Sequence, residues 1–79
     1  MNAANTLTNA KELAVWARLA REAQNKTQSE VALAAGVSRA WLIRFEAGAV
    51  RAELFRVFDV LAALGYGLTP QPLREPVNR

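Results

Sequence analysis

The sequence predicts an all-α domain of four to five short helices, and three features carry that expectation. Four segments place apolar residues at the three- and four-residue spacing of a helix buried on one side. Most of them open after a residue able to cap a first turn, and three close at or near a glycine. The two middle segments are short and are joined by a turn of three or four residues containing Gly36. At 79 residues the chain has room for one domain, and a core this small needs outside help such as oligomerisation.

Taken in order, residues 1–7 read as a flexible leader. A first helix is expected from Thr8 or Asn9, either of which can cap it, to about Gln24. Its apolar face would be Leu13, Trp16, Ala17, Ala20 and Ala23, with Val15 and Leu19 as a second, exposed pair. Asn25-Lys26 breaks the pattern. Thr27-Gln28-Ser29-Glu30 is a capping box, in which hydroxyl and carboxylate each satisfy the other residue's free N–H. A second helix should run from Gln28 to about Ala35 and stop at Gly36, which takes the left-handed conformation at low cost. Val37 then enters the core, and Ser38 caps a third helix from Arg39 to about Ala47, ended by Gly48. Leu42 and Phe45 are its core anchors, which leaves Arg39, Ala40, Trp41, Ile43 and Arg44 outside. Ala32 fits a close helix crossing, where a longer side chain has no space.

After an Ala49-Val50 linker, a fourth helix is expected from Arg51 or Ala52 to Leu64, stopped by Gly65. Leu54, Val57, Phe58, Leu61 and Leu64 would form its core face, with Phe55 and Val60 outside it. A helix apolar over more than half its girth should be covered on two sides, by the core and by a partner subunit. Tyr66 to Thr69 has the local character of a short extended segment, and residues 70–79 read as a flexible tail.

Composition narrows the function. The chain is 52% apolar, yet no run approaches the length of a membrane span. No secretory signal is visible, so a cytoplasmic, nucleoid-associated protein is expected. With no histidine and no cysteine, the common general base, the thiolate nucleophile and the usual metal ligands are missing. The acids are scattered singly and there is no glycine-rich phosphate loop. No enzyme, metal or cofactor is expected. Ten Lys/Arg against seven Asp/Glu give a net charge of +3. Eight of those bases are arginine, whose planar fork suits phosphates and guanine edges.

Two short helices joined through Gly36 are the signature of a helix-turn-helix over residues 28–47. The stretch Thr27-Gln28-Ser29-Glu30-Val31-Ala32-Leu33-Ala34-Ala35-Gly36-Val37-Ser38-Arg39, with Arg44-Phe45-Glu46-Ala47-Gly48, resembles the Cro/CI-type (XRE) repressors. The resemblance implies a lambda-repressor-like domain over residues 8–69 that binds double-stranded DNA. It implies a phosphate contact for Gln28, a backbone contact for Ser38, base-facing positions for Arg39, Ala40 and Arg44, and an interhelical ion pair of Arg21 with Glu46. Arg39 and Arg44 are about 7.5 Å apart along the helix axis, so both can reach one major groove. The alternative is that they are solvated charges or unspecific phosphate contacts.

Asn25, Lys26, Trp41 and Ile43 depart from the family pattern, the last two standing where small or polar residues are common. Asn25-Lys26 replaces the usual Gly-Leu, which makes Lys26 a candidate phosphate contact; Arg18 and Lys11 read as backbone-side or surface charges. Trp41 can pack on a deoxyribose or thymine methyl, or cover the domain's own flank. The segment Phe58 to Thr69 resembles the HipB-like antitoxin branch. That implies a homodimer on a palindromic operator and a strand over 66–69 pairing with its two-fold mate, where the residues alone allow a plain extended tail. Val60, Leu64, Tyr66 and Leu68 are the expected dimer interface. The same branch implies a HipA-like kinase toxin as partner, with Val15, Leu19 and Phe55 as candidate contacts. Two other functions fit the sequence: a stand-alone repressor, and a protein-interaction module that no longer reads DNA.

Overall fold

The computed structural model describes residues 6–48 and 51–73. Within them lie four helices and no strand: α1 (Ala10–Ala23), α2 (Gln28–Ala35), α3 (Arg39–Glu46) and α4 (Leu54–Ala63). The first five residues, the Ala49-Val50 linker and the tail from 74 onward lie outside the described residues. None of the four helices is long and apolar enough to cross a membrane.

Each of the first three helices starts where a side chain can occupy its free N–H groups. Asn9 caps α1 by accepting from the Glu12 N–H at 2.9 Å, while the Thr8 N–H donates to the Glu12 carboxylate at 2.8 Å. Thr27 and Glu30 form the reciprocal capping box of α2, at 3.0 and 2.7 Å. The Ser38 hydroxyl accepts from the Trp41 N–H at 2.9 Å and opens α3. Asn25 takes a left-handed φ of 57° and Gly36 one of 73°, which turn the chain out of α1 and α2. Gly36 meets nothing within 4 Å where a Cβ would stand, so its requirement is conformational, not steric.

The core is centred on Leu42, Leu61, Val31 and Val60, the largest fully buried side chains. Ala32 and Ala35 of α2 are buried with them, and their small size lets α2 lie close to both α3 and α4. The C-terminal segment is tied back to the end of α4 and to α1. Tyr66 donates its N–H to the Leu61 carbonyl at 2.8 Å, and the Gln24 amide donates to the Leu64 carbonyl at 2.9 Å. The Tyr66 ring sets its edge on Trp16, with centroids 4.7 Å apart.

Two buried stripes differ from expectation. In α1 the deeply buried positions are Ala14, Ala17 and Arg21; Leu13, Trp16 and Ala20 are half-buried, and Ala23 is exposed. In α4 the buried set is Val57, Val60, Leu61 and Leu64, while Leu54 and Phe58 lie outside at 66% and 46% exposure. The helix begins only at Leu54, so that residue occupies a first turn beyond the core's edge. Val60 and Leu64, expected at a dimer interface, are therefore interior residues of a single chain. Neither side chain is available to a partner subunit as expected from the sequence.

Candidate nucleic-acid interface

α3 presents two unlike sides. Leu42, Phe45 and Glu46 are buried, which fixes the helix against α1 and α2. Arg39, Ala40, Ile43, Arg44 and Ala47 are exposed, on an arc of about 140° running from Arg39 to Arg44.

The electrostatic setting separates the arginines. Arg18 lies 3.9 Å from Glu22, Arg21 lies 2.7 Å from Glu46, and Arg56 lies 2.6 Å from Glu53. Among the described residues, neither Arg39 nor Arg44 has a carboxylate within ion-pair distance. An exposed guanidinium without an internal acid keeps all five donors for an outside acceptor. Arg39 also borders a groove with Arg18, Lys26, Gln28 and Ser29 at the N-terminus of α2. Arg44 lies at the far edge of the α3 face. The two sites of positive charge thus flank the helix.

Beneath this face a buried network joins three helices. Arg21 Nε and Nη2 donate to the two Glu46 carboxylate oxygens at 2.7 and 2.9 Å. Arg21 Nη1 donates to the Lys26 carbonyl at 2.9 Å. The Gln28 amide donates to Glu46 Oε1 at 3.1 Å. The hydrogen bond to Glu46 raises the Arg21 pKa above its ordinary value, against the opposing effect of burial, so the guanidinium stays charged at any ordinary pH. No side-chain polar atom buried among the described residues lacks a partner.

The remaining candidates fall as follows. Gln28 is half-buried, with its amide nitrogen turned inward to Glu46. Ser38 is exposed, and its hydroxyl oxygen caps α3. Trp41 is half-buried and stacked on Phe45, with centroids 5.3 Å apart and planes 16° apart, so it covers the domain's own flank. Lys26 is half-buried at the rim of the groove. Tyr66 and Leu68 are about half exposed, as are Val15, Leu19 and Phe55. The inward bond of Gln28 had no visible signal in the sequence, because it depends on where Glu46 arrives.

A family model described as Helix-turn-helix matches residues 18–70, a span that holds the end of α1 and all of α2, α3 and α4. A search of curated proteins finds no relative that matches the chain.

Proposed function

The chain belongs to the helix-turn-helix family of Cro/CI (XRE) type, a class of DNA-binding transcription regulators, and from that premise we propose that it is a homodimeric repressor reading a palindromic operator. The observation that carries this reading is a pair of arginines, without an ion-pair partner among the described residues, on the outer face of a helix whose inner face is locked. Two-fold symmetry would set two such helices in successive major grooves about 34–36 Å apart. Arg39 and Arg44 would reach base edges, with Ala40 beside them. Gln28, Ser38 and Lys26 would hold phosphates. Tyr66 and Leu68, with Leu54 and Phe58 in place of Val60 and Leu64, would meet the mate.

Titration of salt against binding to duplex DNA tests the core of this. Phosphate neutralisation makes the logarithm of affinity fall steeply and linearly with the logarithm of salt. A flat dependence, or no binding, would favour the protein-interaction module instead.

Within this class the finer reading is an antitoxin of HipB-like type that represses its own operon and neutralises a HipA-like kinase. It is supported by the Phe58–Thr69 resemblance and by the exposed apolar side chains Val15, Leu19 and Phe55. Co-expression with such a kinase should give a complex that weakens when these three are changed to Asp. Undiminished capture removes them as contacts, and no capture leaves the stand-alone repressor.

A further inference from the structure

We infer that the outer side of α1 is a self-association face, on which a second copy of this chain docks antiparallel. This surface is separate from the side of α4 assigned above to the mate, and the inference does not rest on DNA reading. Val15 and Leu19 stand one turn apart on α1 at 42% and 51% exposure, and with Leu7, Lys11 and Trp16 they line one groove. Measured round the helix from Lys11, Glu22 lies at about 20°, Val15 at about 40° and Leu19 at about 80°. One arc thus carries a base, two apolar residues and an acid, in that order along the chain. Neither end charge is spent inside the domain. Among the described residues Lys11 has no carboxylate within ion-pair distance. Glu22 is about half exposed and holds Arg18 and Arg21 only loosely, at 3.9 Å each.

The spacing is self-complementary. Lys11 and Glu22 are about 16.5 Å apart along the axis, so their midpoint lies about 8 Å from Lys11, and the midpoint of Val15 and Leu19 lies about 9 Å from it. One two-fold axis therefore serves both pairs. An antiparallel mate sets Lys11 opposite the partner's Glu22 and Val15 opposite the partner's Leu19, each contact made twice, as an isologous interface requires. Arg18 lies near that axis but about 80° round the helix from the centre of the apolar pair, so its charge projects to the side, one turn from its own Glu22. A partner of other sequence has no reason to carry this pattern reversed, whereas a second copy carries it by symmetry. The face is one helix wide, so the contact belongs with interfaces under about 1,200 Å², which are weak and transient.

The test is sedimentation of the full chain carrying Leu54→Asp and Phe58→Asp, which silences the α4 side and isolates this one. At low salt it should self-associate with a Kd of about 0.1–1 mM, the range of a small interface. In that background Lys11→Glu and Glu22→Lys should each weaken association about tenfold, because each opposes like charges at both ends of the contact. The two exchanges combined should restore it. Leu19→Asp should abolish it with an unchanged melting curve. The same exchanges in the otherwise unaltered chain, read as loss and recovery of mass growth with concentration, do not depend on the α4 variant folding. A monomer throughout that range, or a double exchange as weak as the single ones, overturns the inference. If such a monomer also loses capture of a co-expressed kinase on Leu19→Asp, the stripe belongs to that partner instead. None of these results touches the salt-dependent binding of duplex DNA, by which the earlier reading stands or falls.

Discussion

Arg44 and Glu46 stand two residues apart on one helix and have opposite tasks. Arg44 is exposed and among the described residues unpaired, so Arg44→Ala should leave the melting temperature unchanged. It should cost about 1–3 kcal/mol of discrimination at one base position, the worth of a bidentate arginine–guanine contact, as read by competition binding. Equal binding by the variant would remove Arg44 from the reading set. Glu46 is buried and is the shared acceptor of Arg21 and Gln28. Glu46→Ala leaves a buried guanidinium without its counter-charge, a loss of about 3–5 kcal/mol, which urea denaturation would report. At this scale the sequence was informative where a residue's partner lies nearby, as for Thr27 with Glu30. It was silent on the Gln28–Glu46 bond, whose partners are far apart in sequence.

The helices differ in how plainly their ends are written. α2 and α3 begin at hydroxyl caps and α2 ends on a left-handed glycine, so both were legible to within a residue. α4 was not. Its cap position, Glu53, makes no side-chain bond to the helix start and instead holds Arg56 at 2.6 Å, so no cap marks the start at Leu54. Its apolar excess also allowed two overlapping stripes sharing Val57, Leu61 and Leu64. Packing against α2 selects the one through Val60 and leaves Leu54 and Phe58 outside. Gly36→Ala tests the turn between α2 and α3. With open space around the added methyl but a φ of 73°, the cost should be about 1–2 kcal/mol of left-handed strain, seen as a lower melting temperature with the fold retained. A variant as stable as the parent would show that the turn tolerates a side chain.

For the molecule as a whole, about half of the large apolar side chains left in water among the described residues lie on α4 and the segment after it. Leu54 and Phe58 stand one turn apart there, with Tyr66 and Leu68 half exposed. Leu54→Asp with Phe58→Asp should leave the core intact, since neither residue enters it. If this side meets a second copy, sedimentation at micromolar concentration should shift from dimer to monomer, and operator affinity should fall with it. A wild-type chain that sediments as a monomer at all concentrations would remove the two-fold arrangement. The all-helical architecture was readable from spacing and punctuation alone. Which apolar surplus faces inward was not, because periodicity records a helix's greasy girth and not its neighbours.

The Arg21–Glu46–Gln28 junction also bears on the timing of recognition. Because one carboxylate pins the first, second and third helices together, the surface proposed to face the groove is assembled before any duplex arrives. Little conformational freedom remains to be surrendered at the moment of encounter. Association should accordingly be rapid, governed by diffusion and long-range attraction, and strong and weak operators should differ chiefly in how long the complex survives.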